Sequence, residues 1–493
     1  SLFLISNIIF FHGQEDARPL LTTKYGQLLG NTVGAKETDR LVHVFMGVPF
    51  AKPPIGPLRF EAPQPLEPWS FVREATAAPP MCLQDKRGME DLAEFFKAKF
   101  DFPPVSEDCL YLNVFTPADR GENPELPVMV FIHGGGLTMG GASMFEGTAL
   151  CAYENVVVVS IQYRLGIMGF FSSGDKEVRG NFGFLDQVAA LQWVRDNIKD
   201  FGGNPQSVTI FGESAGGVSV SAQVLSPLSK GLFHKAIAES GVAILPGLMT
   251  SKNEEILPLL SVVANISSCS VSELVGCLKK KTEDEIVAIT AAMKFVMFPA
   301  VVDGVFLPKP AEEILAAKES NPVPFLIGIN NHEFGWMLPV VGTFFVSYEI
   351  GPCFFLRRYT NKVILNCFQS LFLQRIDSNA IPAIMEEYFG DTSDPIEVRD
   401  NFLELGGDML FLIPALKTAN YHRDSGLPVY FYEFQHRPSL YGDSKGDFVK
   451  ADHGDEIYFV FGGPFLSGDV TFQDEEEALS KKIMKYWANF ARN

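Results

Sequence analysis

Val208-Thr209-Ile210-Phe211 runs directly into Gly212-Glu213-Ser214-Ala215-Gly216-Gly217. An apolar, β-branched run of this kind predicts a buried strand, and the glycines after it predict a tight turn. A serine on a sharp strand-to-helix turn needs small residues two positions away on either side, because a bulky side chain there would clash. Gly212 and Gly216 satisfy that need, so the stretch reads as a nucleophile elbow lifting the Ser214 hydroxyl above a sheet edge. The helix then continues through Ser219 to Val224. The same glycines could serve a merely structural turn, and the strand and helix on either side speak against that.

Upstream, Val128-Met129-Val130-Phe131-Ile132 and Val156-Val157-Val158-Val159 are apolar without polar alternation. Such runs mark strands buried on both faces, as in a parallel sheet. Between them and the elbow, Phe184, Val188, Leu191, Val194 and Ile198 recur at helical spacing and define one face. Gly202-Gly203 stops that helix and Asn204-Pro205 turns the chain. Strand, helix and strand in alternation predict an α/β fold with a large, mostly parallel central sheet and helices on both faces.

Composition agrees. The chain has 493 residues, of which 47% are hydrophobic and 20% charged, and its net charge is −19. These values exclude a disordered or collagenous protein. A surface this acidic repels phosphates, which makes nucleic acid and anionic membranes poor partners, and no nucleic acid is expected. Beyond the apolar stretch Ser1–Phe11 nothing approaches the ~18 apolar residues of a membrane span, so no integral membrane segment is expected. Residues 1–13 are read as the remnant of a signal peptide, which favours a secretory route over the other reading, a buried first strand. Among seven cysteines no CxxC or Cys/His cluster has zinc spacing, so no metal is expected. Asn265-Ile266-Ser267 is a glycosylation sequon that matters only in the secretory pathway.

The strand Val128–Ile132 ends in His133-Gly134-Gly135-Gly136, the type of loop that supplies oxyanion donors in esterases. With the Ala215 N–H, Gly135 and Gly136 would give three donors for a tetrahedral oxyanion. A serine hydroxyl also needs a base oriented by an acid, in the chain order serine, acid, histidine. His234, His332, His422, His436 and His453 follow Ser214. His436 ends the strand Val429–Phe434 and His453 sits in the polar turn Ala451-Asp452-His453-Gly454-Asp455-Glu456, so the residues leave these two open. For the acid, Glu333 emerges just past the strand Pro324–Ile329, with Asp303 as its rival. Glu333 is preferred because a carboxylate flanked by Phe334 and Trp336 is expected to be partly buried, and burial strengthens its bond to an imidazole.

Together these segments resemble the type-B carboxylesterase and cholinesterase family. Phe201-Gly202-Gly203-Asn204-Pro205 through the elbow is similar to the family's serine signature, and Glu107-Asp108-Cys109-Leu110-Tyr111-Leu112-Asn113-Val114 to its second signature. Ser240-Gly241-Val242-Ala243-Ile244-Leu245-Pro246-Gly247 and Ala451–Glu456 resemble the type-2 carboxylesterases in particular. The resemblance runs from about Thr22 to Asn493. It implies an α/β-hydrolase domain over 20–493, and a triad of Ser214, Glu333 and His453, which decides between the two histidines. It also implies Gly135, Gly136 and Ala215 as oxyanion hole, disulfides Cys82–Cys109 and Cys269–Cys277, and a glycan on Asn265. The implied activity is hydrolysis of neutral carboxylic esters without a cofactor, in the endoplasmic reticulum lumen or outside the cell. The type-2 likeness implies a small acyl group and a bulky alcohol.

The sequence departs from the family in three places. The loop between Cys269 and Cys277 is shorter. From Val341 to Gln374 the likeness lapses, with six Phe and the unpaired Cys353 and Cys367, a stretch read as a gene-model error in preference to a divergent lid helix. Family members continue past Asn493 to a retention tetrapeptide, so truncation of the C-terminus is expected. Two other readings stay in view. One is an inert relative serving adhesion, as in the neuroligins, where the serine is absent. The other is a cholinesterase, which needs an aromatic gorge although only Trp69, Trp193, Trp336 and Trp487 are present.

Overall fold

The structure is a computed structural model that describes residues 18–87, 89–90, 101–119, 121, 124–293, 296–337, 379–392, 394–466 and 472–493. Residues 1–13 and 341–374, with Cys353 and Cys367, lie outside the described residues.

Nine strands form the main sheet. They are β1 (Asn31–Gly34), β2 (Leu41–Pro49), β3 (Tyr111–Pro117), β4 (Leu126–Ile132), β5 (Val157–Ile161), β6 (Gly203–Glu213), β7 (Lys235–Glu239), β8 (Phe325–Asn330) and β9 (Val429–Phe434). Their order is β9-β8-β7-β6-β4-β5-β3-β2-β1. Strands β9 through β5 in that order are mutually parallel, whereas β3, β2 and β1 join antiparallel at the far edge. The Val-rich runs are the centre of the parallel part, as expected of strands buried on both faces.

Alternation within those runs feeds two separate cores. Val128, Val130 and Ile132 of β4, with Val208 and Ile210 of β6, face one core. Met129, Phe131 and Phe211 face the other. Helix α1 (Phe182–Asn197) covers the first face with the predicted stripe Phe184, Val188, Leu191 and Val194, all buried. It ends in a single 3₁₀ turn, after which Gly202 takes a φ of 84° that L-residues with a Cβ disfavour. Helix α2 (Ala215–Leu225) is buried along its whole length, and its apolar side chains belong to this same core. The second face is covered by α3 (Asp474–Arg492), whose Ile483, Met484 and Trp487 point into the core. A capping box between Gln473 and Glu476 and four acids in its first turn start that helix.

The expected turn at Asn204-Pro205 lies inside β6, where the pairing with β4 breaks between Gly203 and Val208. The Asn204 side chain accepts the Gln206 N–H at 2.8 Å there, so the turn survives as an irregularity within the strand. Cys82 is bonded to Cys109 and Cys269 to Cys277, which also shows that the shortened second loop closes. Among the described residues no single helix is long and apolar enough to cross a membrane.

Candidate active site

Ser214 sits between β6 and α2 with φ 59° and ψ −124°. That conformation costs a non-glycine residue roughly 1–3 kcal/mol, and its surroundings over-determine it. The Ser214 N–H donates to Glu239 O at 2.9 Å, and Ser214 O accepts from the Val218 N–H at 2.9 Å. A Cβ on Gly212 would lie 2.5 Å from Ile132 O, and one on Gly216 only 2.0 Å from the same atom. Glycine is therefore required on both sides of the serine by the neighbouring strand β4.

That strand also delivers the glycine loop. Gly212 and Ile132 are register partners, so residues 133–136 leave the sheet beside the elbow. A Cβ on Gly134 would come within 3.0 Å of Ser214 Cβ. Gly135 and Gly136 have φ of 99° and 62°, and a Cβ on Gly135 would meet Met139 O at 2.1 Å. Gly135 O is capped by the Thr138 and Met139 N–H groups, both at 3.0 Å. Burial pushes the His133 imidazole down to about 4, so it is neutral, and its Nδ1 donates to Gly134 O at 2.9 Å. Tyr163 OH donates to His133 O at 2.7 Å. From the Cys82 side, the Gln84 amide grips Gly140 at both N–H and carbonyl, each at 2.8 Å. The loop is thus held through its own carbonyls and N–H groups from several sides.

Strand β8 ends at Asn330, whose N–H donates to Glu333 Oε1 at 2.7 Å. The chain from Ala451 pairs with the segment just beyond β8. His332 N–H donates to Ala451 O at 2.9 Å, Ala451 N–H to Asn331 Oδ1 at 3.1 Å, and His332 bridges Asp452. This short pairing lays His453 against Glu333, with Nδ1 2.7 Å from Oε2. Trp336 stacks on the imidazole at 5.7 Å and Phe411 flanks it at 4.7 Å. Both partners are buried. Burial pushes the Glu333 carboxyl upward, and hydrogen bonds from the Ser240 hydroxyl and the Asn330 N–H oppose that by favouring its ionised form. Burial likewise lowers His453 to about 3, so the resting ring is uncharged.

A model of the carboxylesterase family matches residues 17–493. The chain is 51% identical to a medium-chain fatty acyl-CoA hydrolase precursor of Anas platyrhynchos, over 98% of this chain and 85% of that one. It is 50% identical to the cocaine esterase of Homo sapiens, over 98% and 84%. To carboxylesterase 1D of Rattus norvegicus it is 47% identical, over 98% and 86%. The chain belongs to the carboxylesterase family.

This carboxylesterase is a carboxylic ester hydrolase of the serine type. Its α/β-hydrolase fold was the expected one. The two rival residues have other engagements. His436 Nε2 contacts Glu476 Oε1 at 3.1 Å, at the start of α3. Asp303 Oδ1 accepts the N–H groups of Val305, Phe306 and Leu307 at 3.1, 2.9 and 3.0 Å, which makes it a turn cap.

Sequence reasoning passed over the carboxyl groups behind the esterase's histidine. Glu213 Oε1 lies 3.1 Å from His453 Nε2. Glu213, Glu239 and Glu456 are all fully buried. Burial raises all three, Glu456 to about 8 and the others well above the usual carboxylate range. The Trp487 indole donates to Glu239 Oε1 at 3.1 Å. The one available signal was Glu213's place inside the elbow motif. No group of His, Cys, Asp and Glu among the described residues could hold a metal ion.

Proposed function

We propose that this carboxylesterase hydrolyses neutral carboxylic esters by two-step acyl transfer on Ser214. Ser214 Oγ attacks the ester carbonyl carbon while His453 Nε2 takes its proton and Glu333 holds the imidazole in the Nδ1–H tautomer. The N–H groups of Gly135, Gly136 and Ala215 hold the oxyanion. Collapse breaks the bond to the alkoxy oxygen, and His453 returns the proton to the leaving alcohol. Water then attacks the acyl-enzyme with His453 again as base, which releases the acid and regenerates Ser214. Losing one oxyanion donor costs such a site roughly 3–4 kcal/mol of transition-state stabilisation. No cofactor is needed.

The observation that carries this reading is the buried 2.7 Å contact between His453 Nδ1 and Glu333 Oε2. Labelling with a fluorophosphonate followed by peptide mapping tests it. A single adduct on Ser214, lost when the protein is heat-denatured first, is expected. A well-folded protein that takes no adduct would replace this reading with the inert adhesion module. A neutral aryl ester is expected to turn over faster than a choline ester, and the reverse ranking would favour a cholinesterase. The names of relatives, an acyl-CoA hydrolase and a cocaine esterase, make thioesters and bulky-alcohol esters the first substrates to try.

For location we infer the secretory pathway, in the lumen of the endoplasmic reticulum or outside the cell. Two disulfides suit an oxidising compartment, and the Asn265 side chain is exposed. Expression in a glycosylating host should give a band that shifts on enzymatic deglycosylation. Asn265→Gln should abolish the shift, and a persisting shift would place the glycan elsewhere.

A further inference from the structure

Lys445 is a lysine whose side chain is only 5% exposed, with its ammonium 3.1 Å from Asp452 Oδ2 and 3.1 Å from Asp455 Oδ1. Lysine is almost never buried to this extent unless it is paired. Here two carboxylates, themselves almost wholly buried, offset the desolvation. The Tyr441 ring lies under the ammonium at 3.7 Å, and Tyr441 OH donates to Asp455 Oδ1 at 2.9 Å. Arg437 braces the same segment from outside through the carbonyls of Lys445, Gly442 and Val449.

The two aspartates flank His453 in sequence, and each holds backbone of the pair-forming segments. Asp452 Oδ1 accepts the His453 N–H at 2.9 Å and the Trp336 N–H at 3.0 Å. Asp455 Oδ2 accepts the Asp452 N–H at 2.7 Å. Asp452 therefore ties the loop of His453 to the segment of Glu333 and to the indole stacked on the imidazole. Lys445 holds Asp452 and Asp455 together against their mutual repulsion. Building on the acyl-transfer reading above, we propose that Lys445 is a positioning residue that keeps His453 in register with Glu333.

Lys445→Met leaves two like charges facing each other in a buried site. The His453 loop is then expected to relax away from Glu333. Misplacement of catalytic groups by about 1 Å can cost ~10²-fold, so kcat should fall by roughly 10- to 100-fold with KM changed less than about twofold. Lys445→Arg keeps the cation and should recover most of the rate. Counting active sites by fluorophosphonate titration separates this from a smaller folded fraction, which would leave kcat per site unchanged. The far-downfield proton resonance of the His453 Nδ1–H bond should shift or vanish in folded Lys445→Met.

Should Lys445→Met fail to fold, Asp455→Asn keeps one cation beside one anion and removes only one arm of the clamp. It is expected to fold and to lose rate in the same kcat-dominated way. Normal kcat per site and an unmoved downfield proton in either folded variant would overturn the proposal. Wild-type protein that hydrolyses esters and labels at Ser214 in that same experiment would show that only the role of Lys445 has failed. Wild type that does neither would mean the acyl-transfer reading itself has failed.

Discussion

Ser214→Ala is expected to reduce ester hydrolysis by about 10⁶-fold, as removal of the nucleophile does in serine hydrolases, without disturbing the fold. The strain at position 214 belongs to the backbone, whose φ of 59° is held by Glu239 O and Val218 N. Alanine bears that strain as serine does, so thermal stability should stay close to wild type. What disappears is the oxygen proposed to carry the acyl group. The glycine loop, held by His133 and Gln84 rather than by the serine hydroxyl, keeps its shape. Some acceleration over water should therefore remain, since oxyanion stabilisation and binding alone retain 10³–10⁴-fold in the serine-protease template. Near-normal turnover by purified Ser214→Ala would sink the acyl-enzyme mechanism.

Glu333→Gln is the second large effect, a loss of about 10⁴-fold in kcat, or roughly 5.5 kcal/mol at 1.36 kcal/mol per decade. Its cause is visible in the two contacts of the carboxylate. Oε1 accepts the Asn330 N–H and Oε2 faces His453 Nδ1, each at 2.7 Å. An amide has a single oxygen. If that oxygen keeps the buried Asn330 N–H, the NH₂ group turns towards the ring and forces Nδ1 to accept. The proton then moves to Nε2, and the ring can no longer take one from Ser214. Asp303→Asn is the matched control, because its carboxylate caps a turn. It should lower stability by about 1 kcal/mol and leave kcat alone. An unchanged rate in Glu333→Gln with a collapsed rate in Asp303→Asn would hand the acid role to Asp303.

The parallel half of the sheet was legible because its strands are buried on both faces, and a short apolar run such as Val128–Ile132 is what such a strand requires. The antiparallel edge was not, because Asn31–Gly34 is half-buried and carries no comparable signal. At the site, the elbow and glycine loop could be read locally, since their constraints lie within a few residues of the serine. The choice between His436 and His453 could not. Both follow the same strand, and what separates them is the pairing of Ala451 with His332, a contact 119 residues apart in the chain. Lys445, Glu239 and Glu456 were invisible for a different reason. Charged residues in sequence read as surface, and only the folded chain shows that these face inward.

The buried carboxyls behind His453 turn folding into a proton-binding reaction. Glu456, Glu213 and Glu239 bind protons in the folded protein at pH values where the unfolded chain has released them, near 4.5. Below about 6.5 the buried neutral histidines His133 and His453 act in the opposite sense, because the unfolded chain protonates them first. Between there and about 8, where Glu456 releases its proton, the folded state holds the greater number, so stability falls as pH rises, by up to roughly 1.4 kcal/mol per unit for each proton. Below about 4.5 the unfolded chain is protonated too, so the contribution of these carboxyls is fully in place and no longer changes with pH. Lowering the pH from 8 to 7 should thus raise the melting temperature, and Glu239→Gln should flatten the slope. A melting temperature that climbs from pH 7 to 8 would mean that these carboxyls ionise inside the fold. A fall over that range would instead make the interior like a buffer locked in a vault, exchanging protons with solvent only as fast as the fold opens.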